Sequence, residues 1–168
     1  MQMVITGRGG QGVILLARVL GEWAIGKGLK VISTETHGMA TRGGSVLTQV
    51  KLGEFYSPLV AKGQGDLGIA MHQDEEAKAK EYLKEGAPCL VNSPGESESS
   101  TIRLDAQGLS MRNLNTPLYA NLVMAGFVGR RFLNATLKEL THALLGVISK
   151  RIDENKAALK LGFEYEEK

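Results

Sequence analysis

The sequence predicts an α/β protein: a three-layer α/β/α sandwich around a mostly parallel, mixed sheet. Short apolar segments typical of strands alternate with longer segments of helical periodicity along the 168 residues. A glycine-rich loop joins the first predicted strand to the first predicted helix, and the total of 21 glycines is well above the average share. Because a chain of this length can form one hydrophobic core, we expect a single domain over residues 1–168.

Six short segments are predicted as strands, because they are apolar or alternate apolar with polar residues between turn residues. They span residues 3–6, 31–35, 46–52, 66–71, 89–92 and 101–104. After the third strand, Gly53 and Glu54 favour a hairpin turn that returns through residues 55–57 before Pro58. This hairpin over residues 46–57 is the predicted antiparallel element of the sheet.

Five segments are predicted as helices: residues 13–27, 74–84, 118–131, 136–151 and 155–161. Two of them carry few polar side chains, since only Arg18 and Glu22 interrupt most of the first and only Tyr119 and Asn121 interrupt most of the third. A helix that is apolar nearly all round must be covered on both sides. This pattern favours cover by a second polypeptide, and dense packing within this chain is the alternative.

Composition and charge exclude several classes of function. The 20 basic and 18 acidic residues give a net charge of +2 and are scattered, so no dense positive stripe is available for nucleic acid. The amino terminus lacks the apolar core of a secretion signal, and no run of about 20 apolar residues is present to span a membrane. We therefore expect a cytoplasmic protein that binds neither nucleic acid nor membrane.

Cysteine and histidine are scarce. Cys89 is the one cysteine, so this chain by itself can form neither a disulfide nor a cysteine-ligated iron–sulfur cluster. His72 and His142 lack the local spacing of metal ligands and are interpreted as ordinary polar residues. We expect no metal site in this chain, and any redox centre must lie on another polypeptide.

The loop between the first strand and the first helix is the first candidate site. Gly7, Gly9 and Gly12 have the GxGxxG spacing of a Rossmann-like fold, with Gly10 and Gln11 between them. Glycines let the backbone approach a phosphate, and the amides at the positive end of the following helix attract negative charge. We predict that these five residues bind an anion, with a donor from the Gln11 side chain. The alternative is that the glycines only permit a tight turn.

A second candidate site follows the second strand. His37, Arg42, Gly43, Gly44 and Ser45 lie beyond the end of that strand, where α/β folds place ligand crevices. A guanidinium group can bind a carboxylate or a phosphate with two hydrogen bonds, and the adjacent glycines give access to the backbone. His37 and Arg42 are candidate catalytic groups. The alternatives are a structural hydrogen bond for the histidine and an anchoring contact for the arginine.

Two other functions stay open, and Glu35 bears on the first of them. It ends the second predicted strand, near the place where nicotinamide-dinucleotide enzymes keep an acidic residue for the ribose. A small nicotinamide- or flavin-dependent reductase is therefore one alternative, and a stand-alone regulatory module that senses a phosphorylated ligand is another. Neither alternative accounts for the histidine and the arginine–glycine–glycine sequence of the second loop.

The sequence also resembles a known family. The segment from Val4 to Val13 resembles the opening signature of the gamma subunit, or gamma domain, of 2-oxoacid:ferredoxin oxidoreductases. Similar features recur at Arg42-Gly43-Gly44-Ser45, Ser57-Pro58, Asp66, Asn121 and Gly126, so the resemblance covers essentially the whole chain. Within the family, residues 35–46 look most like the beta subunit of indolepyruvate ferredoxin oxidoreductase. Pyruvate and 2-oxoglutarate members tend to carry tyrosine-glycine in place of His37-Gly38.

The resemblance implies a role in a larger enzyme. Such an enzyme converts aryl pyruvates to aryl-acetyl-CoA, releases carbon dioxide and reduces ferredoxin. Its thiamine diphosphate, magnesium ion and iron–sulfur clusters belong to a large alpha subunit, so this chain would bind no cofactor alone and would be inactive alone. It would complete the active site or a coenzyme A channel, with Gly9–Gly12 and Arg42–Ser45 meeting phosphate or carboxylate groups. A pyruvate or 2-oxoglutarate enzyme of the same family is the alternative.

Overall fold

The computed structural model describes residues 1–37 and 44–166. Its strands are β1 (Gln2–Arg8), β2 (Val31–His37), β3 (Ser45–Leu52), β4 (Leu67–Ala70), β5 (Cys89–Val91) and β6 (Thr101–Arg103). Its helices are α1 (Val13–Gly26), α2 (Glu76–Lys80), α3 (Ala106–Leu114), α4 (Ala120–Leu133), α5 (Leu137–Val147) and α6 (Ile152–Phe163). All six predicted strands are present, and their alternation with helices confirms the predicted α/β class.

The sheet has the order β2-β3-β1-β4-β5-β6. β1, β4, β5 and β6 are parallel in succession, whereas β3 pairs antiparallel with both β1 and β2. The sheet is therefore mixed and mostly parallel, as predicted. The predicted hairpin over residues 46–57 is wrong. Because β3 has a neighbour on each side, a strand at residues 55–57 would have no free edge to join, and Tyr56 is instead 99% exposed.

Alternate side chains of the strands point to opposite faces of the sheet. On one face, Met3 and Ile5 of β1 join a core that includes residues of α1, α4, α5 and α6. On the other face, Val4 packs with Leu47, and the short α2 contributes Ala79 to a smaller cluster. Helices on both faces give the predicted three layers, although the second helical layer is thin.

Helix α4 lies within the helical layer and is buried from Ala120 to Gly129. Helix α6 crosses it so closely that a β-carbon on Gly162 would overlap the carbonyl oxygen of Val123, and one on Gly126 would overlap that of Leu159. Glycine at both positions permits this close crossing. Dense packing within the chain therefore accounts for the apolar sequence of α4, so a second polypeptide is not needed to cover it.

Two helices differ from the prediction. The helix predicted over residues 74–84 is a 3₁₀ turn at Gln73–Glu75 followed by the short α2. It stops early because the carbonyl oxygen of Tyr82 accepts hydrogen bonds from the backbone amides of Gln64 and Gly65, which draws the chain away from a helical path. The sequence does not predict α3, whose polar residues hide its periodicity. Asp105 caps α3 by accepting a hydrogen bond of 2.8 Å from the Gly108 amide.

Candidate functional site

The glycine loop, residues 7–12, joins β1 to α1 at the carboxyl edge of the sheet. Its backbone requires glycine at two points, because φ is +95° at Gly10 and +74° at Gly12. At a third point, a β-carbon on Gly7 would lie only 2.5 Å from Cγ2 of Val13. These glycines therefore shape a tight turn, and whether the loop also binds an anion depends on the groups that it exposes.

The first turn of α1 presents backbone amides without a side-chain cap. Gly12 occupies the N-cap position, and no acidic residue lies in the first turn. Amides at this end of a helix lack acceptors within the helix and carry the positive end of its dipole. Arg8, Gly9 and Gly10 are exposed, so the loop faces solvent. This arrangement suits a bound anion.

The side chain of Gln11 closes the loop on itself. Its Oε1 accepts a hydrogen bond of 2.7 Å from the Arg8 amide, and the Gln11 amide donates to the Arg8 carbonyl oxygen at 3.1 Å. The loop is therefore held in shape by its own groups. The Nε2 group, predicted as a donor to an anion, forms no hydrogen bond within the part of the chain that the structure describes.

A crevice opens beside this loop, where the parallel strands end. It consists of two adjoining hollows of about 500 Å³ and about 210 Å³, which share Asn92, Gln107 and Pro117. The smaller hollow reaches Gly10 and Gln11 of the glycine loop. Open α/β sheets bind ligands at the carboxyl ends of their strands. The crevice therefore has the position expected of a ligand site.

Two polar residues after β5 lie in this crevice, and the sequence does not single them out. Asn92 is 8% exposed; its side chain donates to the Met71 carbonyl oxygen and accepts from the Gln107 amide, both at 3.2 Å. Ser93 accepts a hydrogen bond of 3.0 Å from Arg103. The available signal was their position directly after a buried strand, at the edge where the parallel strands end.

The rim of the crevice is partly apolar. Met111 of α3 lines the larger hollow and Leu118, just before α4, lines the smaller one; they are 51% and 68% exposed. His72, interpreted from the sequence as an ordinary polar residue, also lines the larger hollow. Apolar surface beside a few fixed polar groups is typical of ligand pockets.

Part of the second predicted site is not covered by the structure. Arg42 and Gly43 lie outside the described residues, and so does the side chain of His37. The roles assigned to these three residues therefore stay predictions. Gly44 and Ser45 are described.

The structure places the end of the second loop against the glycine loop. The Gly9 amide donates a hydrogen bond of 2.9 Å to the carbonyl oxygen of Gly44. The next residue, Ser45, pairs with Arg8 in the antiparallel ladder of β1 and β3. Because β3 is antiparallel to β1, its first residue lies beside the last residue of β1, so two segments that are distant in sequence meet at one edge of the sheet.

Ser45 already makes two hydrogen bonds within the chain. Its Oγ donates to Oε2 of Glu75 at 2.8 Å and accepts from Nζ of Lys78 at 2.6 Å. Glu75 is 8% exposed, so the hydroxyl connects a buried carboxylate to an ammonium group. A ligand at the Ser45 hydroxyl would compete with both partners.

The position of Glu35 argues against a dinucleotide site. Glu35 lies on β2, and β3 separates β2 from β1. Neighbouring strands are about 4.8 Å apart, so β2 lies about 10 Å from β1. In dinucleotide-binding folds the second strand is the direct neighbour of the first. The reductase alternative is therefore disfavoured.

Cys89 does not suit an iron–sulfur cluster. It is buried on β5, and this burial raises the pKa of its thiol to about 12. Cluster ligands are thiolates, which a protonated thiol in the core cannot replace. Among residues 1–37 and 44–166, no three His, Cys, Asp or Glu side chains are grouped so that they could hold a metal ion. The same residues include no helix that is long and apolar enough to cross a membrane.

Curated relatives are named as subunits of two oxidoreductases. Indolepyruvate oxidoreductase subunit IorB of Archaeoglobus fulgidus is 35% identical over 92 residues, which are 55% of this chain and 46% of that protein. The chain thus aligns with about half the length of this relative. The 2-oxoglutarate synthase subunit KorC of Methanocaldococcus jannaschii is 24% identical over 169 residues, covering 95% of this chain and 90% of that protein.

A solved structure and a family profile agree with these relatives. The gamma subunit of keto/oxoacid ferredoxin oxidoreductase from Geobacter sulfurreducens matches with a TM-score of 0.78 and 25% identity, over 97% of this chain and 96% of that one. The fold and the gamma-type resemblance predicted from the sequence are thereby confirmed. Because residues 2–165 match the profile of the pyruvate ferredoxin/flavodoxin oxidoreductase family, this chain belongs to that family.

Proposed function

We propose that this chain is the small, non-redox subunit of a 2-oxoacid:ferredoxin oxidoreductase and that it helps to bind coenzyme A or the 2-oxoacid. The observation that carries the proposal is the uncapped amino terminus of α1, which opens beside the crevice at the carboxyl edge of the sheet. Membership of the family suggests the class of reaction. Backbone amides at an uncapped helix amino terminus suit the phosphates of coenzyme A or the carboxylate of an oxoacid.

The two loops would act together on the same anion. The Gly9 and Gln11 amides already donate to the carbonyl oxygens of Gly44 and Arg8, so the backbone amides of Gly10 and Gly12 supply one side. We assign Arg42 and Gly43 to the other side. The hydrogen bond between Gly9 and Gly44 supports this assignment, because it holds the end of the second loop beside the first. The role is one of binding and orientation, since the Ser45 hydroxyl is engaged with Glu75 and Lys78 and the glycines of the two loops offer only backbone groups.

The chemistry itself requires groups that we place on a larger partner subunit in the cytoplasm. Bound there, thiamine diphosphate with magnesium supplies the decarboxylation, and iron–sulfur clusters pass electrons to ferredoxin. The buried state of Cys89, the one cysteine of the sequence, supports this division. We therefore expect no activity from this chain alone.

We propose an aryl pyruvate, such as indolepyruvate, as the substrate. The support is the higher identity with IorB, at 35%, than with KorC, at 24%, although the KorC match is the longer one. The His37-Gly38 sequence of the second loop, which resembles that of indolepyruvate enzymes, also supports this substrate. A 2-oxoglutarate enzyme is the second candidate, favoured by the near-complete KorC alignment.

The first experiment is to isolate the chain by affinity from its native cells and to identify what accompanies it. A large partner with the brown absorbance of iron–sulfur clusters is the expected result, and the complex is then assayed with indolepyruvate, phenylpyruvate, pyruvate and 2-oxoglutarate. Fastest ferredoxin reduction with the aryl pyruvates supports the substrate proposal. Fastest ferredoxin reduction with 2-oxoglutarate would contradict the aryl pyruvate proposal and favour the 2-oxoglutarate enzyme. A colourless homo-oligomer would contradict the subunit role.

A variant tests the anion site within that complex. We expect Arg42→Ala to raise the KM for coenzyme A or for the oxoacid by about tenfold, because loss of a charge-assisted pair removes binding energy. Arg18→Ala, on the exposed side of α1, is the matched control and should leave both KM values unchanged. Equal KM values for the Arg42 variant and the wild type would show that Arg42 of the second loop does not contribute to the anion site.

A further inference from the structure

The Gln73–Glu75 turn after β4 touches both loops of the proposed site. Asp74 forms an ion pair with Arg8 of the glycine loop. Glu75 accepts the 2.8 Å hydrogen bond from Ser45 at the start of β3. One short turn is thus connected to each of the two segments that form the anion site.

The turn itself is fixed to the sheet. Thr6, fully buried on β1, donates from its Oγ1 to the carbonyl oxygen of Glu75 at 3.0 Å. His72 starts the turn, and its Nδ1 accepts a hydrogen bond of 3.2 Å from the Asp74 amide. The turn therefore has a defined position from which it can place the loops.

The link between the turn and Ser45 is electrostatic as well as geometric. Glu75 is almost fully buried, and burying a carboxylate is unfavourable unless its charge is compensated. Lys78 supplies the compensation through the shared hydroxyl, which it contacts at 2.6 Å. Removing Ser45 leaves both charged groups without this partner, and removing Glu75 or Lys78 breaks one of the two hydrogen bonds of the hydroxyl.

We propose that Glu75 and Lys78 are positioning residues of the anion site. They act through Ser45 to hold the Gly44 carbonyl oxygen on the Gly9 amide, and this contact keeps the end of the second loop beside the glycine loop. Ser45 is then a positioning residue as well, which revises the ligand contact predicted for it from the sequence. The inference rests on the proposed function only for the identity of the bound anion.

The structural test is the rate of amide hydrogen exchange at Gly9, measured on the full chain. Ser45→Ala, Glu75→Gln and Lys78→Met should each accelerate this exchange by at least about threefold, because each weakens one connected network. Ser45→Thr keeps the hydroxyl and should restore the wild-type rate. Lys80→Met is the matched control, since Lys80 lies on the same helix but pairs with Glu76 and does not contact Ser45.

The functional test uses the assembled enzyme. The same three variants should raise the KM for coenzyme A or oxoacid with little change in kcat, because positioning affects binding rather than the chemical step. The Glu75→Gln/Lys78→Met double variant should be no worse than the more severe single variant, since both act through one hydroxyl. If Glu75→Gln does not fold, Lys78→Met and Ser45→Ala carry the comparison.

Two results would overturn the inference. One is an unchanged Gly9 exchange rate in the Glu75 and Lys78 variants. The other is a KM increase confined to Ser45→Ala, which would make Ser45 a direct ligand contact. The proposed function fails separately, if the rate of the enzyme does not depend on coenzyme A or an oxoacid. Faster Gly9 exchange in the variants would still support the positioning network in that case.

Discussion

Asn121 donates a hydrogen bond of 3.3 Å from its Nδ2 to the carbonyl oxygen of Gly12. The contact joins the start of α4 to the start of α1, directly behind the glycine loop. Gly12 has a φ of +74°, and the space beside its Cα is filled by the Asn121 amide. The shape of the loop therefore depends on the absence of a side chain at one residue and on the presence of an amide at the other.

Gly12→Ala should destabilise the fold by more than the backbone conformation alone explains. Left-handed geometry costs a non-glycine residue about 1–2 kcal/mol, and the new β-carbon would also overlap Asn121. Gly28→Ala is the control, because Gly28 has a φ of +77° but no neighbour within 4 Å of the added carbon. Urea unfolding should show the larger loss for Gly12→Ala, and Asn121→Ala should recover part of it. Equal losses at the two glycines would contradict the overlap.

Gly162→Ala should weaken the crossing of α4 and α6. The added carbon meets the rigid carbonyl group of Val123, so we expect a loss of about 1–3 kcal/mol, typical of an overpacked core. Gly26→Ala, at the end of α1, meets nothing within 4 Å and should be neutral or slightly stabilising. Thermal unfolding of both variants is the measurement. A melting temperature for Gly162→Ala equal to that of the wild type would show that the helices separate at little cost.

Glu139 should make the stability depend on pH in the acidic range. A hydrogen bond from the Thr136 amide, assisted by Lys27, lowers the pKa of Glu139 from its ordinary 4.5 to about 2. A lowered pKa favours the charged form in the fold, so this stabilisation is complete above pH 4.5 and is lost as the pH falls towards 2. Glu139→Gln should therefore be less stable than the wild type at neutral pH, and the difference should close across this range. A difference that does not vary with pH would contradict the assignment.

Cys89 should be inert in the folded chain. Burial raises the pKa of its thiol to about 12, so almost no thiolate is present at neutral pH. A thiol-specific reagent should react only when the protein is unfolded in denaturant. Rapid and complete labelling of the native chain would show that β5 opens readily.

The sequence predicts the strands well because each is a local run of apolar residues with clear breakers. It fails at residues 55–57, since strand pairing is decided by the other strands rather than by the turn residues Gly53 and Glu54. The position of β2 beside β3 leaves no edge for that hairpin. It also fails at α3, where the capping residue Asp105 is a clear local signal but the polar helix has no apolar stripe to reveal it.

In the candidate site too, the sequence reveals local patterns but not the contacts that depend on the fold. The glycine loop is visible from the sequence because its spacing is a local pattern, and its neighbour Gly44 follows from the second cluster of glycines. Asn92 and Gln107 are brought together only by the order of the strands, so no local pattern marks them. The structure places Ser45 beside the glycine loop, but its engagement with Glu75 depends on a turn that the sequence interprets as helix.

The reversed direction of β3 also sets an order of events in folding. Val31 pairs with Leu52, and their strands β2 and β3 follow each other directly in the chain. Met3 pairs with Leu67 although β2 and β3 both lie between them in the sequence. Contacts between residues near in sequence form sooner. Pulse-labelled hydrogen exchange should therefore show protection of the β2–β3 ladder before that of β1–β4. The crevice needs the ends of β1, β4 and β5 together, so we expect its binding surface to form after the β2–β3 ladder.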